Sequence, residues 1–217
     1  MKYKAVLFDL DGTLLDTIQD IAESMNEVLG YYNFPLHHVE AYKYFVGDGV
    51  EELARRVLPE GSRDPETVSG FVSAMRREYA ARWQKNTRPY VGVPELLDAL
   101  AARGIKISVL SNKPDEFTKI MVAGLLSRWN FEPVLGARPS VPKKPDPAGA
   151  LEIATQLSLS PGEFLYLGDT GTDMKTANAA GMYPVGVLWG FRTAEELVAC
   201  GAKILIKKPL ELLELLT

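Results

Sequence analysis

The sequence predicts an α/β fold, a parallel-sheet core interrupted by a helical insert. Three observations carry this expectation. Short apolar, β-branched runs recur without polar alternation, as in strands covered on both faces. Segments with apolar residues at helical spacing separate them, so strand and helix alternate. Residues 16 to about 85 break that rhythm, because helical spacing continues there with no convincing strand.

The strands expected are "KAVLF" (4–8), "KISVL" (106–110), "FLYLG" (164–168) and "YPVGVLW" (183–189), with a fifth near Lys203–Ile206. Between them, "VPELLDALAARG" (93–104) has helical spacing and closes on Gly104. "PDPAGALEIATQLSL" (145–159) opens with proline and acid, as helix starts prefer. "TDMKTANAAGM" (172–182) is helical up to Gly181. The insert contributes "TIQDIAESMNEVLGYY", "GVEELARRVL" and "ETVSGFVSAMRREYAARWQ". It is too long for an ordinary crossover and reads as a second domain, residues 16–87, set into a core of residues 1–15 and 88–217. "LLDT" and "KNTRPYVGVP" are the expected linkers, with Pro89 and Gly92 suited to a hinge. Asp16 and Thr17 read as the N-cap of the first insert helix. Met75, Tyr79 and Trp83 are expected in the insert's core, and His37 and His38 on its surface.

Bulk properties narrow the function. The 217 residues suit one or two domains, and 47% are hydrophobic, as in ordinary globular chains. A net charge of −4, with both signs interspersed, argues against nucleic acid or an anionic membrane as partner. The single cysteine, Cys200 in "ELVACGAK", allows no intramolecular disulfide and reads as inert packing. The apolar run near the N-terminus is too short and too acidic for a signal peptide, and no stretch reaches the ~20 apolar residues of a membrane helix. A cytoplasmic chain is expected.

In an open parallel sheet, chemistry sits beyond the carboxyl ends of the strands. The first expected strand runs into Asp9-Leu10-Asp11-Gly12-Thr13, the second into Ser111-Asn112, the third into Gly168-Asp169-Thr170, with Asp173 one helical turn on. On an extended strand Asp9 and Asp11, two apart, point the same way, and Asp169 joins them from a neighbouring strand. Three clustered carboxylates need a cation to offset their repulsion. All-oxygen ligands with room for water and phosphate suit Mg²⁺ better than Ca²⁺. Lys143 and Lys144, brought to the same edge, suit a phosphate, and Ser111, Asn112 and the N–H groups around Gly12 add donors. Such a site fits phosphoryl transfer. One carboxylate can attack phosphorus while its neighbour serves as acid and then base.

The motifs "DLDGT", "LSN", "KKPDP" and "GDTGTDM" resemble, in order and spacing, the four motifs of the haloacid dehalogenase (HAD) superfamily. The resemblance covers nearly the whole chain. It implies a Rossmann-like, HAD-like parallel-sheet core with an inserted α-helical cap domain. It further implies Asp9 as nucleophile, Asp11 as general acid/base with its backbone carbonyl on the metal, and Ser111 and Lys144 on the phosphate. Asp169 becomes a direct Mg²⁺ ligand and Asp173 a ligand or the carboxylate behind one. Lys144 is favoured over Lys143 because it directly precedes proline. Thr13 and Asn112 are expected on the substrate side. "FVGDGVEEL" (45–53) resembles the cap's specificity loop in phosphoglycolate phosphatases, which assigns Gly47, Asp48 and Gly49 to the substrate. Asp48 stands where that subfamily often has Asn, and its charge disfavours a carboxylate-bearing substrate. Arg55 and Arg56 could bind a substrate's distal anion but read more readily as helix-surface residues, while Lys113 is open to either surface or cleft.

The implied activity is that of a Mg²⁺-dependent phosphoric monoester hydrolase working through an aspartyl-phosphate, phosphoglycolate phosphatase-like, on a small phosphorylated metabolite. A phosphomutase of the β-phosphoglucomutase kind, a pyrophosphatase or a sugar-phosphate phosphatase fits the same core. A phosphoacceptor signalling domain would leave the helical insert unexplained, and a silent binding protein the intact motif set. The chain is expected to be a monomer or homodimer.

Overall fold

The structure, a computed structural model, describes residues 2–216. The chain divides into two compact units, residues 1–16 with 89–217 and residues 17–88. Among the described residues no helix is long and apolar enough to cross a membrane.

The larger unit is built on β1 (Ala5–Phe8), whose four residues are all buried. Such a strand, apolar on both faces, belongs in the middle of a covered parallel sheet. The two-residue strands β2 (Leu15–Asp16) and β3 (Arg88–Pro89) pair with each other where the chain leaves and re-enters this unit. The large sheet continues with β4 (Lys106–Pro114), β5 (Phe131–Ala137), β6 (Phe164–Gly168), β7 (Tyr183–Val187) and β8 (Ile204–Ile206). Its order is β5-β4-β1-β6-β7-β8 and every pairing is parallel. Register aligns Phe8 with Val109 on one side and with Leu167 on the other. The carboxyl ends of β1, β4 and β6 therefore lie side by side at the point where the strand order reverses, where an open sheet forms its crevice.

The helices follow the expected crossovers. The insert supplies α1 (Ile18–Tyr31), α2 (Val39–Phe45), α3 (Val50–Val57) and α4 (Pro65–Arg82). The larger unit supplies α5 (Val93–Ala102), α6 (Asp115–Leu125), α7 (Ala148–Gln156), α8 (Gly171–Ala180) and α9 (Ala194–Ala199). On one face of the sheet, Leu7, Leu110, Leu135, Phe164 and Tyr166 pack with Ile153 of α7 and Ala177 of α8 in a single buried cluster. The edge strand β5 has no counterpart among the expected strands. Glu132 and Pro133 interrupt its apolar run, and proline is tolerated at a sheet edge where one side of the strand goes unpaired. The short helix α2, and α6, also lie outside the expected helices, while α9 closes on Cys200, where "ELVACGAK" reads as a helix end.

In the helical unit, Met75 and Tyr79 are buried and Trp83 is half-buried. His38 is exposed as expected, but His37 is half-buried. Its ring nitrogen Nε2 lies 2.9 Å from the Val57 carbonyl, and its ring packs edge-on against Tyr42 and Phe45. Thr17 occupies the N-cap position of α1 but makes no side-chain capping bond, and its buried hydroxyl has no hydrogen-bond partner among the described residues. The tie at that end of the unit comes instead from Asp20. Its carboxylate accepts the Asn86 N–H (3.0 Å), the Asn86 side-chain amide (2.8 Å), the Thr87 N–H (2.8 Å) and the Thr87 hydroxyl (2.7 Å). These bonds staple the first turn of the insert to its last residues.

Burial pushes the Asp20 carboxyl up, but the bonds from Thr87 and Asn86 outweigh it and hold the group below the usual carboxylate range. A depressed value means stability present above the unfolded value, near 4, and lost as pH falls through the folded one. Asp20→Ala is therefore expected to cost about 3 kcal/mol in urea denaturation at pH 7, with the gap to wild type narrowing below about pH 4.

Candidate active site

β1 hands directly into a tight turn. The Asp9 N–H continues the sheet by donating to the Leu167 carbonyl at 2.9 Å. The chain then wraps around the Leu10 carbonyl, which accepts N–H groups from Leu14 and Leu15, both at 3.0 Å. Gly12 makes the reversal possible with φ +81°, a left-handed value that favours glycine. A Cβ at Gly12 would also collide with the Asp169 carboxylate.

This turn changes the expected carboxylate cluster. Side chains two apart point together only while the strand stays extended, and here extension ends at Phe8. Asp9 does not form the compact trio with Asp11 and Asp169. The three carboxylates whose oxygens lie within 4.8 Å of one another are Asp9, Asp169 and Asp173, all buried. Asp11 instead directs its carboxylate to Lys113, with Nζ 3.0 Å from each oxygen.

Lys144 sits in the midst of the trio. Its Nζ lies 2.9 Å from Asp9 Oδ1 and 2.7 Å from Asp173 Oδ1, and it donates to the Leu110 carbonyl at 3.1 Å. Burial opposes its charge, but the Asp173 and Asp9 carboxylates prevail and hold the ammonium well above the usual lysine range. Lys143, the alternative, is exposed. Burial, with Asp173 adding like charge, pushes the Asp9 carboxyl up to about 7 against the pull of Lys144. Burial first, then Asp9 and Asp173, drive Asp169 well above the carboxylate range.

Neighbouring groups aim these side chains. Asp9 Oδ1 accepts the Leu10 N–H at 2.7 Å. Asp169 accepts the Thr13 hydroxyl at 3.1 Å and the Phe191 N–H at 2.8 Å. Asp173 Oδ2 accepts the Thr170 hydroxyl at 2.7 Å and its N–H at 3.1 Å, a capping box at the start of α8. Asn112 clasps the Lys144 backbone, accepting its N–H at 2.9 Å and donating to its carbonyl at 3.0 Å. Thr13 and Asn112, expected on the substrate side, thus serve here to orient Asp169 and Lys144. Ser111 is buried on β4, its hydroxyl accepting the Lys113 N–H at 3.2 Å.

Sequence reasoning missed four contributors. Thr170 was legible in principle, since T-x-x-D before a helix is a capping signature. Tyr166, with its buried hydroxyl 3.5 Å from Asp173 Oδ1, read only as a strand residue. Trp189, donating to the Thr13 carbonyl at 3.0 Å, and Phe191 follow β7 and carry no motif among those read. Gly47, Asp48 and Gly49 belong to the helical unit, in the turn between α2 and α3, where both glycines have positive φ. Asp48 pairs with Arg56, whose guanidinium also donates to the Phe45 carbonyl at 2.9 Å. Arg56 is therefore a partner of this loop and not simply a surface residue.

Residues 6–187 match the family profile described as haloacid dehalogenase-like hydrolase. The chain belongs to this family. A phosphoglycolate phosphatase of Neisseria meningitidis is 37% identical over 200 residues, covering 87% of this chain and 81% of its own. An N-acetylmuramic acid 6-phosphate phosphatase of Pseudomonas aeruginosa is 29% identical, covering 100% and 96%. A crystal structure from Lactobacillus delbrueckii subsp. bulgaricus superposes with a TM-score of 0.92 at 29% identity, covering 99% and 98% of the two chains.

In this haloacid dehalogenase-like hydrolase the donor set fits a hard divalent cation. The buried trio offers only oxygen, and burial strongly favours anything that neutralises it, a proton or a metal. A raised carboxyl value means that protonation favours the folded chain, so this stability is full below about pH 4 and lost as pH rises through about 7. In EDTA, Asp9→Asn is therefore expected to raise Tm at pH 8, by roughly 2–4 °C per kcal/mol of strain relieved, with the difference closing near pH 4. A Tm difference independent of pH would remove the argument.

Proposed function

We propose that this chain is a divalent-metal-dependent phosphatase of small phosphomonoesters that works through an aspartyl-phosphate on Asp9. The observation carrying the reading is the buried Lys144 ammonium between Asp9 and Asp173 at the carboxyl ends of β1 and β6. A positive charge beside a nucleophilic carboxylate suits an arriving phosphate dianion.

The roles follow from the contacts. Asp9 Oδ1 is engaged by Leu10 and Lys144, and no hydrogen bond from a described residue engages Oδ2, which is the oxygen offered to phosphorus. Attack forms the bond from Asp9 Oδ2 to phosphorus, an acyl phosphate, and breaks the phosphorus–oxygen bond to the leaving alkoxide. Asp11 gives that alkoxide its proton. It then takes one from the water that attacks the acyl phosphate and releases inorganic phosphate. Lys144 and the Ser111 hydroxyl hold the phosphoryl oxygens while charge shifts. Asp9, Asp169, Asp173 and the Asp11 backbone carbonyl are the groups that would hold Mg²⁺, which supplies further charge neutralisation when bound.

Relatives named for phosphoglycolate make it the first substrate to test. The Asp48 charge, an objection to a carboxylate-bearing substrate, is offset by Arg56 on the following helix α3. With Mg²⁺, wild-type chain is expected to release phosphate from a phosphomonoester panel that includes 2-phosphoglycolate, and to stop in EDTA. Asp9→Asn should lose on the order of 10³-fold or more in kcat, and Lys144→Met about 10²-fold or more. Undiminished release by Asp9→Asn would overturn the reading.

A further inference from the structure

Lys113 stands outside the four motifs, yet it is among the few buried cations of the larger unit. Its side chain is 7% exposed and that of Asp11 11%. The ammonium bridges both Asp11 oxygens at 3.0 Å. Among the described residues, Lys113 is the sole side chain hydrogen-bonded to that carboxylate.

The backbone beneath Lys113 is fixed at both ends. Its N–H donates to Ser111 Oγ at 3.2 Å, and its carbonyl accepts the Thr118 hydroxyl at 3.3 Å. Ser111 and Lys113 both lie near the carboxyl end of β4, in the stretch where its pairing with β5 shifts register between Leu110 and Pro114. The strand that carries the phosphate-side hydroxyl thus also carries the cation that grips Asp11. A surface ion pair of this kind would be worth little. A buried one gripping both oxygens restricts the carboxylate to one orientation, and removing one partner leaves the other charge unpaired.

We propose that Lys113 is the positioning residue for Asp11. Resting on the reading of Asp11 as acid and base, it aims the carboxylate at the leaving oxygen without itself touching the reacting atoms. Proton transfer demands a set distance and angle, and the turn after Asp9 supplies backbone bonds but no other side chain to fix Asp11.

The leaving group provides the test. Ethyl phosphate needs its alkoxide protonated; p-nitrophenyl phosphate departs as a stable phenolate and needs little help. Both lack a carboxylate, so a role for Lys113 in binding a substrate's second anion would not register. kcat/KM is measured on both for wild type, Lys113→Met, Asp11→Asn and the double variant. Lys113→Met is expected to lose about 10- to 100-fold on ethyl phosphate and less than about 3-fold on p-nitrophenyl phosphate. The double variant is expected to lose no more than Asp11→Asn alone, because both changes disable one function. Equal losses on the two substrates, or losses that multiply in the double variant, would overturn the proposal. The ratio of the two substrates does not depend on the fraction of folded enzyme. Lys113→Arg, which keeps a cationic donor beside Asp11, is expected to retain most of the wild-type ratio, and a ratio as far shifted as that of Lys113→Met counts against the proposal. Full activity of Asp9→Asn would instead sink the phosphatase reading beneath it.

Discussion

Lys144 carries its charge on a nearly buried side chain, and the neighbouring carboxylates are arranged around that fact. Three carboxylates within 4.8 Å repel one another strongly in a buried site. One buried ammonium, 2.9 Å from Asp9 and 2.7 Å from Asp173, offsets part of that repulsion. The offset is incomplete, as the raised Asp9 and Asp169 carboxyls show. That residual imbalance favours a further positive charge, the basis of the proposed metal site. The same chain then has opposite tendencies in one crevice: carboxylates that draw a cation and an ammonium that draws an anion. A metal and a phosphate arriving together satisfy both.

Holding these groups so close requires the backbone to come close too. A Cβ on Gly168 would overlap Asp173, and one on Gly12 or Gly190 would overlap Asp169. The orientation of each acid is then set from a separate stretch of chain. Thr13 and the Phe191 N–H aim Asp169, Thr170 aims Asp173, and Asn112 anchors the Lys144 backbone. Parallel register at β4, β1 and β6 brings these stretches to one edge, so the function depends on the sheet order as much as on any single residue.

The core of this account was legible because buried parallel strands leave an unmistakable apolar run, and because the acid at the end of each run stands out against it. β1, β4, β6, β7 and β8 all fall where such runs predict them. The edge strand β5 was hidden by Glu132 and Pro133, since an edge needs neither full burial nor every N–H. At the site, the choice of Lys144 over Lys143 rested on its proline neighbour, and the structure buries one and exposes the other. The Asp11 carboxylate was expected to converge with Asp9 and Asp169 because strand periodicity was carried past Phe8, into a turn built on Gly12, and there it meets Lys113 instead. Residues that orient rather than react, such as Tyr166, Trp189 and Phe191, reach the site from separate places in the chain and give no local signal.

The central claim is that Asp9 carries the phosphoryl group. Wild-type chain, mixed with Mg²⁺ and a turned-over phosphomonoester, is quenched in acid within the first turnover and reduced with borohydride. Reduction converts an aspartyl-phosphate to homoserine, and peptide mapping locates it. The account requires homoserine at position 9 and nowhere else. Rapid phosphate release with Asp9 unmodified, or homoserine at another acid, would contradict it.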